Sequence, residues 1–297
     1  MNFNELINDM SDPPPAIVDG GILLDKTLCL VLGQPKSGKT LFATNLALKI
    51  SFGEDYLGFK INNPKKVLYL SAEGGYYPNR NRIKLMGAPL QQIQNASILG
   101  QNFDFNTYSN YDLSDDKSIK EIISIIKKHE VEVLIIDPLV RFHSGDENSA
   151  KDISVVMKNI RSLIEDYNLS IIIVHHSGKQ VGRGARGSSV ITSEYDSRIT
   201  ITKQQNYSIL SFDMRHVETP EKMKVKLNTD SLWFEMPNSL IPQELIPGAE
   251  LEKSNILKHI QGLGFSQSNA YTKFDGLKNS GIIEEIPGKK VKLIDEK

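Results

Sequence analysis

Eight consecutive residues, Gly33, Gln34, Pro35, Lys36, Ser37, Gly38, Lys39 and Thr40, match the pattern G-x-x-x-x-G-K-[ST]. Each fixed position has a use on a nucleoside triphosphate. Gly33 and Gly38 let the backbone curl so that its N–H groups point at phosphate oxygens. Lys39 brings a cation to the β- and γ-phosphates, and Thr40 offers a hydroxyl to Mg²⁺. The flanks agree with this reading. Residues 27–32 (TLCLVL) form a short apolar strand, and Leu41 opens a helix over 41–50 (LFATNLALKI). The positive end of that helix dipole faces the phosphates.

Three further strand ends carry residues in positions where chemistry is expected. Asp137 closes the run VLIID. A buried strand-end carboxylate is costly unless its charge has a partner, and a Mg²⁺ shell supplies one. Its plainer use is a turn or cap before Pro138. Glu73 follows LYLSA and precedes Gly74 and Gly75, a tight exit that leaves its side chain exposed to take a proton from water. The plainer use is a surface glutamate in a glycine turn. His175 and His176 end the strand after Asp137, and one of them faces the ligand crevice because strand neighbours alternate. It can sense a γ-phosphate, or simply satisfy the strand end.

Residues 177–189 (SGKQVGRGARGSS) follow directly. Glycines loosen this segment, while Lys179, Arg183 and Arg186 make it basic. It suits contact with the phosphates of single-stranded nucleic acid, and one arginine can instead reach a neighbouring subunit's γ-phosphate. It contains no aromatic residue for base stacking. Its plainer reading is a solvated loop.

These residues need a scaffold. Continuous apolar runs at 66–71, 133–137 and 170–175 predict strands of a parallel sheet covered on both faces. Residues 117–129 and 152–167 carry apolar residues at helical spacing. After residue 193 short strands near 195–202, 207–213, 223–227 and 232–235 suggest an antiparallel extension of the sheet. The reading is α/β, with an N-terminal arm over 1–25 stiffened by Pro13, Pro14 and Pro15, a nucleotide domain over 26–236, a proline-rich linker over 237–249 and a small domain over 250–297. Two helices and a strand pair in the small domain resemble a winged helix. Its second helix, 268–279, would offer Tyr271, Thr272 and Lys273 to DNA or to a partner protein. Over 253–292 seven lysines stand against three acids, a local excess of 7 − 3 = 4 positive charges.

Composition sets limits. The chain has 297 residues and a formal net charge of −1, so any nucleic-acid contact must be local rather than a bulk attraction. A single cysteine, Cys29, excludes a disulfide framework and a cysteine zinc site. No apolar run reaches the roughly 20 residues of a membrane span, and the N-terminus lacks the pattern of a signal peptide, so a cytoplasmic location is expected.

The motif order is P-loop, AEGG, IIDPLVRFHSGDENSA, IIIVHHSGK and RGARGSS. It resembles the RecA-like hexameric replicative helicases of the RepA type, known from mobilisable plasmids, over residues 10–235. The resemblance implies a ring of subunits on single-stranded DNA with ATP and Mg²⁺ held between neighbours; the small domain departs from the best-known plasmid member, and DNA, a replication partner or no ligand at all are open for it. It implies Lys39 and Thr40 on phosphate and metal, Asp137 on Mg²⁺, Glu73 as base, His176 as γ-phosphate sensor and Arg186 as a finger into the next subunit. Arg82 and Arg215 match further basic positions near the nucleotide, and Arg141-Phe142-His143 matches an Arg-Phe-His after the Asp137 strand. Gly74 departs from the family, which carries an acid there.

Overall fold

The computed structural model describes residues 2–11, 15–107, 111–176, 189–236, 250–262, 267–279 and 283–293. Pro13, Pro14, Lys179, Arg183, Arg186 and the proposed linker over 237–249 lie outside the described residues.

In chain order the first half runs α1 (Phe3–Ile7), β1 (Leu28–Gly33), α2 (Lys39–Phe52), β2 (Val67–Ser71), α3 (Tyr76–Leu90), α4 (Ala96–Leu99), β3 (Phe103–Asn106), α5 (Asp116–His129), β4 (Val133–Asp137), α6 (Ala150–Tyr167) and β5 (Ser170–His176). There follow α7 (Ser189–Ser193), β6 (Ser197–Lys203), β7 (Ser208–Met214), β8 (Met223–Leu227) and β9 (Phe234–Glu235). Last come β10 (Glu250–Glu252), α8 (Lys253–Gly262), α9 (Gln267–Asn279), β11 (Ile283–Ile286) and β12 (Lys290–Leu293).

The first nine strands form one sheet in the order β3-β2-β4-β5-β1-β6-β7-β8-β9. Every pairing from β3 across to β6 is parallel. The antiparallel part begins only between β6 and β7. The first of the late strands therefore joins the two parts, parallel to β1 on one side and antiparallel to β7 on the other. Its buried and half-exposed residues alternate, because one face of β6 is less covered than those of β4 and β5.

β4 is buried along its whole length, as a parallel strand with both faces covered must be. On one face Leu30, Leu32, Leu134, Ile136, Ile171 and Ile173 pack with the apolar stripes of α5 and α6. Each of these helices has a side-chain cap. Asp115 accepts from the Ser118 N–H at 2.9 Å, and Ser149 accepts from the Asp152 N–H at 3.2 Å. The other face meets α2, buried on nearly all sides. That explains why its sequence reads as apolar without a stripe.

One expectation needs correction. Residues 16–24 are not a loose arm: Ile17, Val18, Ile22 and Leu23 are buried, and Val18 bridges Leu23. A short apolar stretch beside a proline run looks like a tail in sequence, yet it closes an open side of the core. Residues 3–7, ahead of the proline run, form a short helix with a capping box from Asn2 and Glu5. α3 and β3 were not foreseen, since α3 has weak periodicity and contains Pro89, and β3 is only half-buried.

The residues group into two compact units: Met1–Met223 with Leu227–Phe234, and Lys224–Lys226 with Glu235–Lys297. Within the second, β10, β12 and β11 make a three-stranded antiparallel sheet. Ile256, Ile260, Phe274 and Val291 form its core. No helix among the described residues is long and apolar enough to cross a membrane.

Candidate nucleotide site at the carboxyl ends of the parallel strands

β1 runs straight into the 33–40 loop, and two glycines there are dictated by space. A Cβ on Gly33 would overlap Ser37 Oγ and lie 2.7 Å from the Ile201 carbonyl. Gly38 has φ +91°, and a Cβ on it would sit 2.8 Å from Phe234 Cζ. Lys36 also adopts a positive φ, of 63°. Gln34, Pro35 and Lys36 are exposed on the outside of the loop, and Ser37 is buried. Register then sets the neighbours. Gly33 pairs with His176, and Ser71 pairs with Asp137. The parallel order thus brings the ends of β1, β2, β4 and β5 to one edge, where sheets of this class hold ligands.

A cavity of about 400 Å³ opens at that edge, lined among others by Lys39, Thr40, Glu73, Arg82, Asp137 and His176. Leu41 and Leu232 form an apolar part of its wall. A larger groove of about 910 Å³ runs beside α2 and α3. Its lining is mostly apolar, and it gathers no cluster of facing carboxylates and lysines, so the chemistry belongs to the smaller cavity.

Asp137 is 2% exposed. The Tyr69 hydroxyl donates to its Oδ2 at 2.5 Å, and the Thr40 hydroxyl to its Oδ1 at 3.3 Å. Burial nevertheless pushes its carboxyl up to about 6, with Glu73 adding repulsion. Lys39 folds back on the loop and donates to the Gln34 carbonyl at 2.9 Å. Burial holds it below the ordinary lysine value, while Asp137 and Glu73 pull it back. His176 is likewise held below its ordinary value, by burial and then by the Lys39 charge, so its imidazole is neutral at neutral pH.

The site's polar atoms are therefore undersatisfied. Ser37 Oγ and His176 Nδ1 are buried with no hydrogen-bond partner among the described residues. Asp137 is buried against hydroxyls, with no ion pair to a cation among the described residues. A phosphate in the loop and a divalent cation beside Thr40 and Asp137 supply what these groups lack. The residues fit Mg²⁺–nucleotide, whose metal would be held through Thr40 and Asp137.

Glu73 stands apart, with a half-exposed side chain whose Oε1 is 4.0 Å from Arg141 Nε. Its main chain is fixed: Asn79 Nδ2 donates to its carbonyl at 2.8 Å and the Ser71 hydroxyl at 3.2 Å. Arg82 donates to Asn79 Oδ1 at 3.2 Å. On the other face of β5, buried His175 lies 3.6 Å from Glu147 Oε1. His176 is thus the histidine that faces the cavity.

Arg215 is not brought to this cavity. Ser197 pairs with both Cys29 and Met214, so Arg215 adjoins the start of β1, roughly 13 Å from the loop at 3.3 Å per residue. There its guanidinium donates to the Ser193 carbonyl at 2.7 Å and lies 4.9 Å from the Tyr195 ring.

In the second unit Tyr271 and Thr272 are exposed on α9, but Lys273 is half-buried. Lys253 and Lys278 both pair with Glu285, Lys290 pairs with Glu250, and Lys292 pairs with Glu284. Four of the seven lysines counted in the sequence are thus engaged in ion pairs, but of the acids they meet only Glu250 lies outside that count, so a positive excess remains.

Residues missed by sequence reasoning are Tyr69, Asn79, Asn45, Leu232 and Phe234. Asn45 is fully buried on α2. It donates to the Leu232 carbonyl at 3.1 Å and accepts from the Phe234 N–H at 2.9 Å. A fully buried amide in an apolar helix and a tyrosine in an apolar strand were the available signals.

A parallel α/β sheet with a phosphate loop after β1 and an acid ending β4 defines a RecA-like P-loop nucleotide domain. The model of the family described as AAA domain matches residues 3–182, and the chain belongs to that family. A curated relative, the replicative DNA helicase DnaB of Rickettsia conorii, is 26% identical over 191 residues, 56% of this chain and 39% of its own length. The chain thus spans well under half of that relative. Among solved structures, an ATPase domain superposes with a TM-score of 0.58 at 12% identity, covering 79% of this chain and 96% of that one.

Proposed function

We propose that the chain is a Mg²⁺-dependent ATPase of the RepA type. Its subunits form a ring, the hexamer of that resemblance rather than an open filament, and the ring moves along single-stranded DNA as a replicative helicase of a plasmid or other mobile element. One observation carries the reading. Lys39, Thr40, Asp137, Glu73 and His176 converge on one cavity at the carboxyl edge of the sheet. Likeness to the helicase DnaB of Rickettsia conorii supports the class.

The roles follow from the environments. Lys39 leaves the Gln34 carbonyl and turns its charge to phosphate. Thr40 and Asp137 hold the metal, which when bound neutralises charge on the phosphate oxygens. Glu73, half-exposed and close to Arg141, accepts the proton of the attacking water as the bond to the leaving diphosphate breaks. Neutral His176 offers its unpartnered Nδ1 toward the terminal phosphate and adjoins the 177–189 segment. In this reading Lys179 and Arg183 touch DNA phosphates, and Arg186 or Arg215 reaches a neighbour's nucleotide. The second unit acts as a winged helix with Tyr271, Thr272 and Lys273 outward. Its ligand is DNA or a protein partner such as a replication initiator.

The test is phosphate release with and without single-stranded DNA, alongside displacement of a strand from a forked duplex. DNA-stimulated hydrolysis with displacement is expected. Hydrolysis and DNA binding with intact forks would establish the alternative, an ATP-driven loader or switch. A chain that turns over no ATP under either condition sinks both readings.

A further inference from the structure

We infer that Asn79 is the positioning residue for Glu73, a role that rests on the proposed one of Glu73 as base. Glu73 leaves β2 into Gly74 and Gly75, both with positive φ, of 84° and 64°. Two glycines in succession let a turn sample many conformations, and ordering it costs entropy. A base must hold its carboxylate to within a fraction of an ångström, since a misplacement of about 1 Å costs about 100-fold in rate. Something outside the turn has to fix it.

The structure shows that restraint. Asn79 lies in the first turn of α3 and is 3% exposed. One side-chain amide serves three neighbours. Nδ2 donates to the Glu73 carbonyl at 2.8 Å and reaches Ser71 Oγ at 3.5 Å. Oδ1 accepts from Arg82, whose guanidinium lines the cavity. The fit also constrains Gly74, since a Cβ there would lie 3.2 Å from Asn79 Oδ1. The start of the segment is pinned as well, because the Ala72 N–H donates to the Asp137 carbonyl at 3.0 Å. Asn79 thereby locks the Glu73 main chain between the metal-site strand and α3. It also holds Arg82 beside the same cavity. Both polar atoms of the Asn79 side chain are engaged in this way, so its effect passes through Glu73 and Arg82.

The test uses the full chain with Asn79→Ala, Asn79→Asp and Glu73→Gln. Asn79→Asp keeps the acceptor for Arg82 and loses the donor to Glu73, which separates the two tasks. Readouts are kcat and KM for ATP, affinity for a fluorescent non-hydrolysable ATP analogue, and the melting curve. Both Asn79 variants should lower kcat by about 10- to 100-fold, with KM and analogue affinity within about 3-fold. In the Glu73→Gln background Asn79→Ala should cost under about 2-fold of the residual turnover, because the group it positions is gone. If Asn79→Ala does not fold, Asn79→Asp carries the same comparison. Loss of turnover in Glu73→Gln with full kcat in both Asn79 variants overturns this inference alone. A raised KM at unchanged kcat also overturns it, by placing Asn79 in binding. Full turnover in Glu73→Gln overturns the base assignment and this inference with it.

Discussion

The two ends of the parallel strands carry similar residues in opposite electrostatic states. At the carboxyl end Lys39 and Asp137 are buried with no ion pair between protein side chains among the described residues, and His176 is partly buried with its Nδ1 unpartnered there. At the amino end, near the β6–β7 pairing, Asp196 accepts from the Leu28 N–H at 2.8 Å, from Arg161 at 2.9 Å and from His216 at 3.2 Å. There Tyr195 donates to Asp213 at 2.7 Å between the guanidiniums of Arg198 and Arg215. Asp137 is pushed up to about 6 by burial, whereas hydrogen bonds and Arg161 outweigh burial and hold Asp196 below its ordinary value. A charged cluster that satisfies itself is architecture. A cluster left wanting is organised around a ligand that the chain does not supply.

Several substitutions test that contrast, beginning with turnover. Lys39→Met should reduce phosphate release by more than about 100-fold while leaving the ligand-free melting temperature equal or higher, since a buried ammonium is removed. A melt lowered by several degrees would mean Lys39 is structural. Next is Asp196→Ala, which strands Arg161 and the Leu28 N–H and should cost about 2–4 kcal/mol in urea unfolding. Asp137→Asn should do the reverse, raising ligand-free stability at pH 8 by about 1–3 kcal/mol and abolishing stabilisation by Mg²⁺–nucleotide.

Acidity separates the two aspartates further. The native state holds the Asp137 proton more tightly than the unfolded chain does, between about 3.8 and about 6. Its contribution to stability therefore falls as pH rises through that window and is flat above it. Asp196 has the opposite sign: its contribution is present above the ordinary carboxylate value and is lost as pH falls. The stability difference between the parent chain and Asp137→Asn, followed by urea titration from pH 4 to 8, should change mainly below about 6. Parallel curves would refute the buried, unpaired state of Asp137. The smallest effect is expected at the surface of the second unit. Lys278→Ala should cost under about 1 kcal/mol and less in high salt, because Glu285 keeps Lys253.

Much of the site was legible because its chemistry is local. Gly33 to Thr40 is a continuous string, and Glu73, Asp137 and His176 each end a strand whose apolar run announces it. The order of strands then delivers them to one edge without further information. What was hidden depends on contacts distant in sequence. Tyr69 looks like any strand aromatic until β2 lies beside β4. Asn79 lies in a helix with little periodicity. Buried residues 16–24 are apolar but short, and nothing local in β6 says that its parallel neighbour is β1. The lysine count in the second unit gives net charge but not pairing, since a sequence does not say which lysine a glutamate from another strand holds.

Asn45 gives the domain a timetable. Its amide joins α2 to residues 232–234, so the helix that starts in the phosphate loop finishes packing against a segment made 189 residues later. Contacts that distant are slow to form and close late. On the ribosome the phosphate loop therefore emerges early but matures late, after the sheet has been completed by its last strands. A nascent chain is spared a working nucleotide site until nearly the whole domain has been made.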